Sequence, residues 1–231
     1  MYFSGRTYEF FKRPDLYGCM FSYKKTAWQD IALAMGCRFM LDNGCFSGKF
    51  EFIQWLRNIE AACEFYDQCI GVILPDAVIL DSKGNFVKGD WLGTLHQFYA
   101  YIHILEEYGM PAAYALQDDH PIEKVPFDDI QCLFIAGSTV YKESAQAKEI
   151  GLEAKRRGIH VHVGRVSSIR RMEICDYADT FDGTTFRWQP AVKHARFDPY
   201  LEDRMARGCY SSVAPIYKSG RLPLDGQGIT V

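Results

Sequence analysis

Short apolar runs recur along the chain, each followed by a longer amphipathic or polar stretch. Leu16–Ser22 (LYGCMFS), Cys37–Asp42 (CRFMLD), Cys69–Leu74 (CIGVIL), Ala112–Leu116 (AAYAL), Cys132–Ala136 (CLFIA), Ile159–Val163 (IHVHV) and Tyr177–Phe186 (YADTFDGTTF) read as strands. Most are continuous rather than alternating, as in a parallel sheet buried on both faces. In the last, period-two geometry puts Asp179 and Phe181 on one face and Thr180 and Asp182 on the other. Between the strands, the spacing predicts helices over Thr26–Met35, Phe50–Tyr66, Trp91–Tyr108, Ser144–Arg157, Ser168–Tyr177 and Lys193–Arg207, and a short one over Pro121–Ile130. Asp90 is placed to cap the longest, whose stripe is Trp91, Leu95, Phe98, Ile102 and Leu105. Gly36, Gly109 and Gly158 stand where helices should stop.

The strand-then-helix order recurs about seven times, which fits either a (β/α) barrel or a doubly wound sheet. Polar residues sit just past the strand ends: Asp42, Asp76, Gln117, Ser138, Arg165 and Asp182. A barrel gathers such positions at one mouth, whereas a flat sheet spreads them apart. No G-x-G-x-x-G or Walker A loop marks a nucleotide-binding sheet. The expectation is a small or slightly incomplete TIM-type (β/α) barrel, a single domain over residues 1–210, with a Gly/Pro-rich tail over 211–231 packing on it.

Composition changes this picture little. The chain has 231 residues, 48% hydrophobic and 24% charged, with a formal charge of −3; that is ordinary globular usage. The charge is uneven: Lys155 to Arg196 holds nine Lys/Arg against four Asp/Glu. None of the eight cysteines pairs with another at C-x-C or C-x-x-C spacing, so no zinc knuckle is written. There is no signal-peptide pattern and no run long enough for a membrane span. A reduced cytoplasmic setting is the reading.

Three acids (Asp42, Asp76 and Asp182), one carboxamide (Gln117) and the backbone near Gly137 are thus expected around one pocket. This inventory suits N-glycosidic chemistry. One carboxylate attacks C1′ or stabilises an oxocarbenium ion, a second shuttles a proton to the leaving base, and Asp and Gln can read a flipped-out base. No cofactor and no metal are called for. On spacing alone, Asp182 could equally cap the turn that follows it.

Five segments in order resemble the tRNA-guanine transglycosylase superfamily, including the DpdA proteins that put 7-deazaguanines into DNA. The family's D-S-G-G-F-Q is similar to Asp42-Asn43-Gly44-Cys45-Phe46-Ser47. Its Asp after an apolar strand is similar to Asp76, and its V-Q-G element to Ala115-Leu116-Gln117. Its G-G-x-x-V-G-E loop is echoed by Ala136-Gly137-Ser138-Thr139-Val140-Tyr141-Lys142-Glu143. Its D-x-F-D-C-V-x-P-T-R-x-A-R motif is similar to Asp179 through Phe186 and then His194-Ala195-Arg196. The resemblance implies Asp182 as the nucleophile and Asp42 as the acid/base. It implies base contacts by Asp76, Gln117, Gly137 and Phe46. The family's zinc subdomain is missing, the second glycine of the first motif is Cys45, and the glycine loop is degraded. These departures point to DNA rather than tRNA as the partner, with a free 7-deazaguanine base as the second substrate if bases are exchanged. In this reading Arg165, Arg170, Arg171, Arg187, Lys193 and Arg196 flank the mouth and neutralise phosphates, and Phe186 and Trp188 stack on bases.

Two outcomes share the first step. Exchange replaces the base, and the reading leans slightly that way. Excision leaves an abasic site, as in removal of a modified base from invading phage DNA. Two readings of other classes stand beside these. His160 and His162 share one face of a strand at a spacing that metals use, as in a metal-dependent hydrolase. A catalytically dead barrel that only binds nucleic acid is the other.

Overall fold

The computed structural model describes residues 1–4, 13–21, 36–48, 50–184 and 190–208. Eight parallel strands close into a barrel in the order β1-β10-β9-β8-β7-β4-β3-β2. They are β1 (Tyr2–Ser4), β2 (Tyr17–Phe21), β3 (Phe39–Leu41), β4 (Cys69–Ile73), β7 (Ala112–Leu116), β8 (Cys132–Ile135), β9 (His160–Val163) and β10 (Thr180–Asp182). The barrel is complete, not incomplete as the sequence reading allowed. The strand that closes it is β1, which pairs with β10 on one side and β2 on the other. Tyr2-Phe3-Ser4 is too short to show a hydrophobic period. The remaining two strands, β5 (Ala77–Leu80) and β6 (Phe86–Asp90), make an antiparallel hairpin just past β4. It too went unforeseen.

Alternation along the strands builds two cores. Tyr114 and Leu116 of β7 face outward into the layer between strands and helices, while Ala113 and Ala115 face inward with Phe3, Met40, Ile70, Ile73 and Cys132. Small residues make room inside. A Cβ on Gly18, which pairs with Phe3, would lie 2.5 Å from the Phe3 ring, and one on Gly71 would lie 2.9 Å from Ala113 Cβ. The interior is a packed core, as barrels of this size require.

Most helices form where the sequence predicts them, but a short one over Thr139–Lys142 falls in the expected glycine-rich loop. The helices are α1 (Phe52–Ala62), α2 (Trp91–Tyr108), α3 (Thr139–Lys142), α4 (Ala145–Arg156), α5 (Ile169–Ile174) and α6 (Pro190–Ala206). Asp90, Ser138, Ser144 and Ser168 each accept a hydrogen bond from an N–H in the first turn, and Gly109 ends α2 at φ 63°. Three expectations are corrected. The first predicted helix of this set stops at Ala62 and tightens into a 3-10 stretch, Cys63–Gln68. Pro121–Ile130 is not one helix but two 3-10 turns, Ile122–Lys124 and Phe127–Asp129, because Pro126 interrupts the hydrogen-bond ladder. The last helix starts at Pro190, whose missing N–H suits a first turn. The predicted helix over Thr26–Met35 and the tail over 211–231 lie outside the described residues. No helix among the described residues is long and apolar enough to cross a membrane.

Candidate active site

The carboxylates are set at the C-terminal ends of the strands by a short chain of hydrogen bonds. Asp42 follows β3, and its N–H donates to Phe21 O of β2 at 2.8 Å. The chain then turns through Gly44 at φ 78°, a left-handed conformation that favours glycine. Asn43 is buried inside that turn. Its side-chain oxygen accepts from Cys45 N, while its Nδ2 donates to Leu74 O at 2.7 Å and to Asp76 Oδ1 at 2.9 Å. Gln117, 1% exposed, donates from Nε2 to the other Asp76 oxygen at 2.5 Å. Asp76 is therefore clamped between the ends of β3 and β7. The clamp leans on the hairpin, since a Cβ on Gly89 would sit 2.0 Å from Gln117 Oε1. Asp118 ties the hairpin down by accepting from Gly89 N and Ser138 N, both at 2.9 Å.

Asp182, at the end of β10, also has both oxygens engaged. Arg165 N–H donates to Oδ1 at 2.7 Å, and His162 Nε2 lies 3.1 Å from Oδ2. Arg165 reaches this position with φ at 58°, an uncommon conformation for a residue with a Cβ. Behind it, the fully buried Lys142 donates from Nζ to Gly164 O at 2.7 Å.

These surroundings drive the acids apart. Burial, with the Asp182 and Asp76 charges adding to it, pushes the Asp42 carboxyl up to about 6. Burial also raises Asp76, against the hydrogen bonds from Asn43 and Gln117. For Asp182 burial works the same way, but the His162 hydrogen bond, the Arg165 N–H and the Lys142 charge outweigh it and hold the carboxyl below its ordinary value. Lys142 is itself lowered to about 7 by burial and the nearby Arg165 charge. Burial beside Asp76 pushes the Cys45 thiol up to about 12, which makes it a wall residue rather than a nucleophile.

The mouth is bridged from above. Arg165 Nη2 donates to Ala136 O and Gly137 O at 2.9 and 2.8 Å. Its guanidinium lies 4.1 Å from the Phe46 ring centroid and 5.1 Å from that of Phe86. Phe46 follows β3 and Arg165 follows β9, and these strands have three others between them in either direction around the barrel. The contact therefore spans the opening over the carboxylates. Phe46 is 45% exposed, an aromatic face at the rim.

The expected residues thus divide. Asp42, Asp76, Gln117 and Asp182 come together at one end of the barrel, with Phe46 at its rim. Gly137 does not present its N–H to the opening, because that group donates to Leu116 O. Its need is steric: a Cβ there would lie 2.9 Å from Asp118 Oδ2. Among the expected phosphate contacts, Arg165 is engaged as described and Arg171 is held by Glu143 at 2.6 Å and by Arg165 O. Arg170 and Arg196 are exposed. Phe186, Arg187, Trp188 and the Lys193 side chain lie outside the described residues. His160 and His162 do share the inner face, but both turn onto Thr180 Oγ1 rather than toward a common open point. Among the described residues no group of three or more His, Cys, Asp or Glu is arranged to hold a metal. A groove of about 720 Å³ lined by Leu95, Tyr99, Phe127 and Arg157 lies on the helical side and shares no residue with the carboxylate cluster.

Three participants were missed in the sequence. Asn43 was visible only as part of a motif, Asp118 only as a loop acid, and Lys142 only as part of the glycine-rich loop echo. Each acts through a partner distant in sequence. No protein-family model matches the chain, and no curated protein matches it.

Proposed function

We propose that the protein cleaves the N-glycosidic bond of a nucleobase flipped out of a nucleic acid, with DNA the preferred substrate. The carrying observation is the split between two carboxylates at one barrel mouth: Asp182 held below the ordinary carboxyl value and Asp42 raised to about 6. Titratable pairs whose environments separate them in this way divide acid and base roles. Asp182 attacks C1′ with a lone pair not used by Arg165 or His162, and the bond from C1′ to the base nitrogen breaks. Asp42, in its protonated fraction, delivers a proton to the departing base, which leaves neutral. In the second half, the Asp42 carboxylate takes a proton from the incoming group, which attacks C1′ and releases Asp182.

If that group is a 7-deazaguanine, bases are exchanged; if it is water, an abasic site remains. The clamped Asp76, an acceptor fixed beside Asp42, supports exchange, because a second base needs a preformed partner. The internal engagement of Gln117 and of the Gly137 N–H supports excision, because fewer groups remain to read that base. We lean slightly to exchange. The Arg165 bridge to Phe46 swings aside to admit the base, and the freed guanidinium then meets a phosphate.

The test is an abasic-site assay. Purified protein is incubated with unmodified and phage-modified DNA, with and without 7-deazaguanine bases, and then treated with hot alkali. Breakage without added base establishes excision. Intact DNA that gains the mass of the new base establishes exchange. Asp182→Ala is expected to lower either signal by about a thousandfold; equal activity in this variant, or no product from any substrate, defeats the reading.

A further inference from the structure

The inner residues of β9 and β10 form a hydrogen-bonded chain that ends on Asp182. His160 Nε2 lies 2.8 Å from Thr180 Oγ1, His162 Nδ1 lies 2.8 Å from the same oxygen, and His162 Nε2 lies 3.1 Å from Asp182 Oδ2. Counting donors fixes the protons. An ionised carboxylate only accepts, so His162 Nε2 carries hydrogen. If His162 is neutral, its Nδ1 is bare and accepts the Thr180 hydroxyl. That hydroxyl has a single hydrogen, so it must accept from His160 Nε2–H. His160 Nδ1 is then left as a lone pair, and it is an atom with no partner among the described residues.

The opposite arrangement makes His162 an imidazolium. Thr180 then either donates to His160 Nε2, leaving His160 with an N–H at Nδ1 that no described residue receives, or accepts from both rings and leaves its own hydrogen without an acceptor among the described residues. Orphaned buried N–H groups are rarer in proteins than unsatisfied acceptors. On the other side, burial, with the N-terminal amine, Arg38 and Lys155 adding to it, holds His160 far below the usual histidine value, hence neutral. The His162 ring cannot turn over easily. Phe134 stacks on it at 5.1 Å and 11°, and Phe3 meets it edge-on at 5.5 Å.

We propose that Thr180 and His160 are positioning residues that fix the tautomer of His162, so that Asp182 always faces an N–H and is confined to the attacking role, leaving proton transfer to Asp42. The proton arrangement stands on the geometry; the attacking role rests on the N-glycosidic reading. Without the Thr180 hydroxyl, His162 is free to move its hydrogen to Nδ1, which turns a lone pair toward the carboxylate. Asp182 then loses a donor and gains a repulsive neighbour.

Two-bond proton–nitrogen spectra of the full chain with labelled histidine, assigned by single substitutions, report the tautomers directly. Both His160 and His162 are expected as the Nε2–H form. Thr180→Val is expected to shift His162 toward Nδ1–H and to slow single-turnover base release about a hundredfold, and Thr180→Ser to restore both. A wild-type His162 that is Nδ1–H or doubly protonated overturns the proposal, as does an unchanged His162 spectrum in Thr180→Val. If Thr180→Val does not fold, the wild-type spectrum and Thr180→Ser still decide it. The expected tautomers with no base released from any nucleic acid overturn the N-glycosidic reading and the attacking role, and uphold the proton arrangement alone.

Discussion

Asp42 and Asp182 differ in what surrounds them rather than in what they are. Asp42 accepts only backbone N–H groups, the Gly44 one at 3.2 Å, and lies within reach of two other acids. Asp182 meets an N–H on each oxygen. The consequence for stability has a definite sign. The Asp42 carboxyl is raised from 3.8 to about 6, so the folded state binds its proton more tightly than the unfolded state does. That contribution to stability is present in full below about pH 4 and is lost as pH rises through 6. Asp42→Asn keeps an acceptor for Gly44 and has no proton to lose. It is expected to be more stable than wild type at pH 8, by about 2 kcal/mol after discounting for partial exposure, and the gap should close at pH 4. Thermal melts at the two pH values decide it; a gap independent of pH would mean that a cause other than ionisation acts. The acids were legible because strand-end positions can be found from hydrophobic runs. Lys142 was not, since nothing local distinguishes a helix cation at the surface from one buried against Gly164. The His160 and His162 pair was legible as a face but not as a function. The Thr180 oxygen that both meet belongs to the next strand, and only the register, Thr180 opposite His162, brings it there.

At the scale of elements, local chemistry predicted most boundaries. Asp90 caps the helix it was expected to cap, Ser144 proves to be the cap of α4, and Gly109 stops α2 in the left-handed conformation. The hairpin escaped because its strands neither run apolar for long nor alternate: β5 ends in two exposed residues, and β6 is mostly exposed until Gly89. Its importance comes from a contact that has no sequence signature. Gly89 presses on Gln117, and Gln117 holds Asp76. Gly89→Ala would place a methyl 2.0 Å from Gln117 Oε1 and 2.6 Å from its Cβ, so rotating the end of the side chain does not relieve the clash. The expected cost is about 1–3 kcal/mol, read as a lower denaturation midpoint with an unchanged slope. Base release should fall as well, because the displaced Gln117 no longer donates to Asp76. An unaltered midpoint would show that the hairpin sits loosely on the mouth and does not brace the site.

For the whole molecule, the choice between a barrel and an open sheet rested on the strand-end polar residues, which fall too far apart in an open sheet to act together. The closed strand order satisfies that requirement, and β1 completes it. This strand carries more than its three residues suggest. Phe3 is fully buried in the barrel interior and packs where Gly18 leaves space. It also meets the His162 ring edge-on, so barrel closure and the orientation of Asp182 share one side chain. Phe3→Ala removes an interior ring from a wall held by β10 and β2 together, and the closed sheet cannot collapse easily into the void. The expected loss is about 3–5 kcal/mol in denaturant unfolding, the range for burying an empty site of this size. Phe3→Leu retains most of the volume and should lose far less stability, yet it lacks the ring edge that steadies His162. A strand that merely draped across an open sheet would relax around the change, and Phe3→Ala would then cost under about 1 kcal/mol. The two variants together separate closure from orientation: stability should follow side-chain volume, whereas the His162 spectrum should follow the presence of the ring.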